Sequence, residues 1–243
     1  MRRLGLIGGT GLDHWGEAVN THDIKSVYGQ SSAVLAEYHV GDLQMFFLPR
    51  HGPEHTIPPH AVNYRANIDV LKQMQIEGII AVNAVGGITR SNAPGTVCVP
   101  DQLIDYTWGR AHSFSLTADQ PLQHVEFANP FDGRLRAGLI RAATRTQVSI
   151  NDGGCIAVAQ GPRLETSAEI RRFEKDGCDM VGMTSMPEAA LAREAGLDYA
   201  CLCVNANWGA GIEDEPVTMA AIDATLNEAM VKVRKVLAAL FEE

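Results

Sequence analysis

The stretch LGLIGGTG at residues 4–11 sets the pattern of the chain, because a short apolar run passes directly into a glycine-rich turn. Residues 4–7 are predicted to form a first β-strand. In the turn at residues 8–11, glycines allow backbone N–H groups to converge on an anion, and the Thr10 hydroxyl adds a donor. The P-loop lysine and the full GxGxxG spacing are absent, which argues against a polyphosphate or dinucleotide site. A phosphate-binding loop and a plain tight turn both remain compatible with this segment.

Further short apolar runs follow along the chain, and each is predicted to form a β-strand. They lie at residues 43–48, 78–85, 97–104, 155–159, 180–183 and 199–204. The runs are continuous rather than alternating, which is typical of strands that are covered on both faces.

Helix signals lie between these runs. Pro58-Pro59 predicts the start of a helix that ends near Gly78, and residues 166–169 have the spacing of a capping box. Pro187 and Gly196 mark the start and the end of another helix, and apolar residues recur at helical spacing over residues 219–240. Strands that alternate with helices predict a single α/β domain over residues 1–243, with a central mixed, mostly parallel sheet flanked by helices. Ligands of such sheets bind beyond the carboxyl ends of the strands.

Composition excludes several classes of function. The chain carries a net charge of −9 and has no basic cluster, which argues against nucleic acid or an anionic membrane as a partner. No apolar stretch approaches the ~20 residues of a membrane span, and no signal-peptide core follows Met1. The five cysteines lack CxxC spacing, so we expect free thiols of a cytoplasmic protein and no structural zinc.

Polar residues that could take part in binding or catalysis follow several of the predicted strands. Arg50 and His51 come after the second strand, and an arginine is suited to bidentate phosphate recognition. Glu165 and Thr184 each lie where a strand passes into a helix, and Asn207 follows the last strand. Each also has an ordinary structural interpretation: a surface ion pair for Arg50, a helix-entry residue for Glu165, a helix cap for Thr184 and a turn residue for Asn207.

The remaining catalytic motifs are absent. The chain has no GxSxG, HExxH or DxDxDG, and no defensible Ser/His/Asp order. What remains is a set of anion donors at strand ends, an acid and an amide. That combination favours a phosphate-using reaction on a polar ring without identifying the substrate.

Five motifs in this order and spacing resemble the trimeric purine nucleoside phosphorylase and methylthioadenosine phosphorylase family. They are residues 8–11 (GGTG), 50–52 (RHG), 62–67 (VNYRAN), 161–163 (GPR) and 183–188 (MTSMPE). The resemblance extends over nearly the whole chain. It implies a homotrimer that acts on a nucleoside and inorganic phosphate and needs no metal or organic cofactor.

The resemblance also implies roles for individual residues. Phosphate would be bound by Thr10, Arg50, His51, the Ala84 main chain and Thr184. Met183 would contact the ribose, Leu164 takes the family's aromatic position beside the base, and residues 207–209 (Asn207, Trp208, Gly209) form the base-binding segment. His55 and the Asn83 side chain are further candidates, near ribose and phosphate respectively.

Glu165 and Asn207 decide the choice of base. Adenine-specific members of the family carry an Asp-x-Asp pair at the position of Asn207 and a small hydroxyl residue at the position of Glu165. A 6-oxopurine offers O6 as an acceptor and N1–H as a donor, which suit an amide and a carboxylate. The pair therefore predicts hypoxanthine in preference to adenine, with Asn207 as the group that stabilises the departing base.

Met219 and Ile222 lie in the segment that is expected to contact the 5′ end of the sugar. Family members that cleave inosine and guanosine have a histidine in the matching segment, whereas this segment is mostly apolar and suits a methylthio group. Packing of both residues in the core of the terminal helix is the competing interpretation. The expected reaction is phosphorolysis of 5′-methylthioinosine. The alternatives are phosphorolysis of inosine and guanosine, or a catalytically silent nucleoside-binding protein of the same fold.

Overall fold

The computed structural model describes residues 2–115, 123–214 and 217–242 of the chain. Within these residues the chain forms eleven β-strands and five α-helices. In chain order they are β1 (Arg2–Gly8), β2 (Asn20–His22), β3 (Leu35–Val40), β4 (Leu43–Pro49), α1 (Tyr64–Gln73), β5 (Gly78–Gly87), β6 (Val97–Val99), β7 (Gln102–Asp105), α2 (Gly133–Arg145), β8 (Asn151–Asp152), β9 (Cys155–Val158), α3 (Ser167–Lys175), β10 (Met180–Gly182), α4 (Ser185–Glu194), β11 (Asp198–Trp208) and α5 (Met219–Phe241).

All described strands belong to one mixed sheet. Its main path runs β2-β3-β4-β1-β5-β10-β9-β7, and β11 pairs with β5 and carries β6 and β8 beyond it. The central strands β4, β1, β5 and β11 are mutually parallel. The edge strands β2 and β3 are antiparallel, and β10 runs antiparallel to β5. This confirms the predicted α/β fold with a mixed, mostly parallel sheet.

The sheet is covered by helices on both faces, as its continuous apolar strands predict. Leu6, Ile80 and Leu202 point to the face that packs against α2 and α5. Their neighbours Ile7 and Ala81 point to the opposite face, which packs against α1 and α4. Because side chains alternate along a strand, strands buried on both faces must be apolar throughout.

Most of the sequence signals for helices are confirmed, with shifted boundaries. The Pro58-Pro59 entry leads into a single 3₁₀ turn, and α1 begins only after Asn63, whose side chain accepts a hydrogen bond from the Ala66 N–H at 3.1 Å. The capping box of α3 is complete, because Thr166 and Glu169 each accept a hydrogen bond from the other's backbone N–H.

The other differences concern strands and one helix. The single run predicted at residues 97–104 is two strands, β6 and β7, separated by Pro100, which has no N–H for a strand ladder. The sequence reasoning missed α2 and the strands β2, β3 and β8. No helix in the described part of the chain is both long and apolar enough to cross a membrane.

The parallel central strands bring the polar loops to one edge of the sheet. Gly8 at the end of β1 lies opposite Pro49 at the end of β4, so Thr10 and Arg50 emerge side by side. Asn207 near the end of β11 is in register with Gly86 on β5. The fold thus brings together loops that are far apart in the sequence.

Candidate active site

A cavity of about 410 Å³ opens at this edge of the sheet. Twelve of the residues proposed from the sequence line it: Thr10, Arg50, His51, His55, Ala84, Leu164, Glu165, Met183, Thr184, Asn207, Met219 and Ile222. The lining also includes residues that the sequence did not single out, among them Thr56, Ile57, Val181 and Ala206. These are small or apolar residues without a motif of their own, and only the fold reveals their position.

The glycine-rich turn after β1 is shaped by close backbone packing. A Cβ on Gly8 would lie 2.0 Å from the Leu12 carbonyl oxygen, and one on Gly9 would lie 2.5 Å from the Val82 carbonyl oxygen. Gly11 has a φ of +86°, which favours glycine. The turn therefore needs its glycines for its own conformation, and that conformation presents Thr10 to the cavity.

Arg50 lies at the floor of the cavity as half of a buried ion pair. Its Nε and Nη2 donate to the two carboxylate oxygens of Glu188 at 2.7 and 2.8 Å, and both side chains are at most 1 % exposed. Burial alone lowers the pKa of the Arg50 guanidinium, but the Glu188 carboxylate outweighs it and the net shift is upward. The surface ion pair considered from the sequence is thus wrong, since the partner is a buried carboxylate of α4.

The other donors of Arg50 are largely committed to the protein. Nη2 also donates to Asn83 Oδ1 at 2.8 Å, and Nη1 donates to the Val82 carbonyl oxygen at 3.1 Å. A guanidinium has five N–H groups, so these contacts leave one Nη1 hydrogen for a ligand. Asn83 itself is 2 % exposed and also donates to Ser185, which makes it a support for Arg50.

His51 is buried beside Arg50 and is neutral at pH 7. Burial lowers the pKa of the His51 imidazole to about 4, and the Arg50 charge acts in the same direction. Its Nδ1 lies 2.8 Å from the Ile57 carbonyl oxygen, which can only accept a hydrogen bond. The proton therefore resides on Nδ1, and Nε2 carries a lone pair. In this form His51 can accept a hydrogen bond from a protonated phosphate oxygen.

Thr10 belongs to a short chain of polar side chains at the cavity mouth. Its hydroxyl lies 3.3 Å from His55 Nε2, and His55 Nδ1 lies 3.1 Å from Asp13 Oδ1. His55 thus contacts the predicted phosphate residue Thr10, and it also lines the cavity. Asp13 was not singled out from the sequence, because an acidic residue in a polar loop has no distinctive signal.

Thr184 precedes α4, but its hydroxyl does not cap the helix. The residue is 8 % exposed and lines the cavity. The interpretation of Thr184 as a capping residue is therefore wrong, and the hydroxyl is not used for the first turn of α4. Its neighbour Met183 lines the same cavity from the end of β10.

Glu165 and Asn207 lie on different elements and meet at the cavity. Glu165 belongs to the loop before α3, and burial is the main cause that raises the pKa of its carboxyl group. Asn207 Nδ2 donates to the Trp208 carbonyl oxygen at 2.7 Å. Because an amide nitrogen carries two hydrogens, one donor of Asn207 remains for a ligand.

Met219 and Ile222 line the cavity from the first turn of α5. Ile222 is 8 % exposed and also belongs to the core beneath the sheet, whereas Met219 is 64 % exposed. Ile222 therefore packs in the core as well as lining the cavity, whereas Met219 is not a core residue.

The fold does not bring Trp208 and Gly209 into the cavity lining. Side chains alternate along β11, so Trp208 points away from the side of Asn207, and the Arg90 guanidinium lies over its ring at 5.2 Å. Gly209 donates its N–H to the Gly87 carbonyl oxygen at 2.7 Å and packs against Ile170.

Comparison with known proteins agrees with the fold. A family model described as the phosphorylase superfamily matches residues 3–242. A protein named "Probable S-methyl-5'-thioinosine phosphorylase" from Xanthomonas campestris is 48 % identical over 229 residues, which cover 93 % of this chain and 92 % of the relative. A 6-oxopurine nucleoside phosphorylase from Pyrococcus furiosus is 38 % identical over 224 residues, which cover 90 % of this chain and 84 % of the relative.

Solved structures give the same result. Methylthioadenosine phosphorylase from Schistosoma mansoni in complex with adenine superimposes with a TM-score of 0.95 at 32 % identity, and the match covers 99 % of this chain and 91 % of that one. The family model, the relatives and the shared fold agree over nearly the full length. The chain therefore belongs to the phosphorylase superfamily.

Proposed function

We propose that the protein catalyses phosphorolysis of S-methyl-5′-thioinosine to hypoxanthine and 5-methylthioribose 1-phosphate. One observation carries the proposal: the same cavity is lined by three groups of residues. They are the phosphate set (Thr10, Arg50, His51, Ala84 and Thr184), the two residues assigned to the purine (Glu165 and Asn207) and two apolar residues (Met219 and Ile222). Relatives at 47–48 % identity carry the name of this activity.

In the reaction the bond between C1′ and the purine N9 breaks, and its electron pair leaves with the base. A phosphate oxygen forms a bond to C1′ as the sugar develops oxocarbenium character, and the proton that hydrogen phosphate loses neutralises the departing purine anion as hypoxanthine. Asn207 donates a hydrogen bond to N7 as negative charge grows on the purine, an interaction stronger in the transition state than in the ground state. Glu165 orients the base by accepting from N1–H.

The phosphate side of the cavity holds the nucleophile. The free Nη1 hydrogen of Arg50 and the Thr10 and Thr184 hydroxyls donate to phosphate, and the Nε2 lone pair of His51 accepts from its protonated oxygen. Holding phosphate and nucleoside together in one geometry supplies much of the rate. The proposed reaction requires no metal and no organic cofactor.

A second candidate is phosphorolysis of inosine and guanosine. Relatives at 36–38 % identity are named as 6-oxopurine nucleoside phosphorylases, and both reactions use the same base contacts. The 5′ side separates them, because a methylthio group needs an apolar wall and a 5′-hydroxyl needs a hydrogen-bond partner. Met219 and Ile222 provide the apolar wall.

Replacing Met219 by histidine is expected to lower the ratio of kcat/KM for methylthioinosine over that for inosine by roughly 10-fold or more. The imidazole can hydrogen-bond the 5′-hydroxyl and is a poorer contact for a thioether. Steady-state kinetics with both nucleosides at saturating phosphate measure the ratio. Val231→His is the matched control, because Val231 is 68 % exposed on the same helix and does not line the cavity. A ratio unchanged in Met219→His would refute the role of Met219.

The proposal extends to the setting of the enzyme. We expect a homotrimer in the cytoplasm, with a small nucleoside and phosphate as its ligands, and no nucleic acid or membrane as a partner. The family resemblance supports the trimer. The acidic net charge supports the expectation that nucleic acid and membrane are not partners. The free cysteines support the cytoplasm as the compartment.

A further inference from the structure

Arg110 lies in the loop after β7, outside every motif that the sequence brings out. Its Nη1 donates to the main-chain carbonyl oxygens of Met183 at 2.8 Å and Met186 at 2.6 Å. Its Nη2 donates to the Gln160 carbonyl oxygen at 2.7 Å. One guanidinium therefore connects two chain segments, and we call this set of contacts the Arg110 bridge.

The bridge has further support from the Gln160 side chain and the Tyr64 ring. Nε donates to the Gln160 side-chain oxygen at 3.2 Å, and the same oxygen accepts the Trp108 N–H at 3.2 Å. The Tyr64 ring lies 5.6 Å from the guanidinium carbon. Within the described residues, its hydrogen-bond acceptors are carbonyl oxygens and a phenol rather than a carboxylate. A cation held in this way fixes backbone position instead of neutralising a buried acid.

The two connected segments carry the residues assigned to the nucleoside. Gln160 immediately precedes the loop that leads to Leu164 and Glu165, and Met183 lines the cavity itself. The segments also pack tightly, because a Cβ on Gly161 would lie 2.5 Å from the Met183 sulfur. Their separation is therefore set by both contact and hydrogen bonding.

We propose that Arg110 is a positioning residue for the nucleoside, which fixes the spacing between the Met183 segment and the loop that carries Leu164 and Glu165. The inference rests on the proposed function, since it takes these residues to contact sugar and base. Of the phosphate set, Thr184 lies inside the bridged segment, next to Met183. Thr10, Arg50, His51 and Ala84 lie on other segments, and the described hydrogen bonds of Thr10, Arg50 and His51 do not include Arg110. Loss of the bridge therefore affects the nucleoside more than phosphate.

The test compares Arg110→Gln and Arg110→Lys with the wild-type protein. A displacement of about 1 Å at a reacting group costs on the order of 100-fold in rate, so we expect kcat/KM for methylthioinosine and inosine to fall roughly 10- to 100-fold in Arg110→Gln. The KM for phosphate is expected to change by less than about 3-fold. Arg110→Lys keeps the charge but lacks the planar fork, and it is expected to recover only part of the loss.

Arg136→Gln is the matched control. Arg136 also donates to two main-chain carbonyl oxygens, those of Pro100 at 2.8 Å and Val99 at 3.1 Å, and it does not line the cavity. Urea unfolding of all variants shows whether the losses of stability are comparable. Equal kinetic effects in Arg110→Gln and Arg136→Gln, or an equal rise in KM for phosphate and nucleoside, would overturn the proposal.

Binding of hypoxanthine and of phosphate by calorimetry separates this inference from the proposed function. A wild-type protein that cleaves no purine nucleoside contradicts the proposed function. The positioning role still predicts at least about 10-fold weaker hypoxanthine binding in Arg110→Gln, with phosphate binding changed by less than about 3-fold. The positioning role would be contradicted if Arg110→Gln bound hypoxanthine as tightly as Arg136→Gln does. It would also be contradicted if the wild-type protein did not bind hypoxanthine.

Discussion

Replacing Arg50 by alanine is expected to lower the free energy of unfolding by about 3–5 kcal/mol, because the Glu188 carboxylate would then be buried without its counter-charge. Glu188 is fully buried and accepts two hydrogen bonds from Arg50, with a third from the Tyr199 hydroxyl at 2.8 Å. Urea unfolding measures this loss. The same change is expected to raise the KM for phosphate roughly 10- to 100-fold, which corresponds to one charge-assisted hydrogen bond of about 1.5–3 kcal/mol.

A double variant separates the two effects of Arg50. In Arg50→Met with Glu188→Gln both charges are gone, while the substituted amide side chain retains an oxygen that can accept from Tyr199. We expect most of the stability to return, because replacing both members of a buried ion pair is often close to neutral. The KM for phosphate is expected to remain raised. A KM that recovers together with stability would show that Arg50 acts only as structural support.

The second large effect concerns the choice of base. Glu165→Ser combined with Asn207→Asp is expected to raise kcat/KM for methylthioadenosine relative to methylthioinosine by about 10²- to 10⁴-fold, since a site built on hydrogen bonds rejects a base that leaves its buried groups unpaired. An aspartate can accept from the 6-amino group and from a protonated N7. It cannot donate to O6 when ionised. Steady-state kinetics with both nucleosides give the ratio.

Both substituted residues line the cavity, so the change acts where the base is proposed to bind. Glu174→Ser is the matched control, because Glu174 is an exposed carboxylate on the neighbouring helix α3. It removes the same functional group without changing the cavity. If the double variant and Glu174→Ser gave the same substrate ratio, the hydrogen-bond account of base choice would be wrong.

The central part of the fold could be predicted because its physical signals are local. Strands buried on both faces are continuously apolar, and helices such as α3 and α5 carry caps and periodic apolar residues. The edge strand β2 lacked such a signal, since it reads Asn20–His22 and is mostly exposed. Helix α2 opens with Gly133 and has a second glycine at Gly138, which obscured its apolar spacing.

The candidate site could be predicted only as far as its motifs extend. Residues at strand ends were brought together as expected, because parallel strands end at one edge of the sheet. Arg50 and Glu188 are 138 positions apart in the sequence, and residue spacing cannot predict a contact over that separation. The Arg110 bridge also could not be predicted from the sequence, because most of its partners are main-chain carbonyl groups, which every residue carries.

The proposed function is tested by phosphate-dependent release of base from methylthioinosine, inosine and methylthioadenosine, with the three nucleosides assayed in parallel. We expect methylthioinosine to have the highest kcat/KM, by at least about 10-fold over inosine because of the 5′ contacts and by more over methylthioadenosine because of the base contacts. Equal activity with inosine would contradict the apolar 5′ site at Met219. A preference for methylthioadenosine would contradict the assignment of Glu165 and Asn207 to a 6-oxopurine.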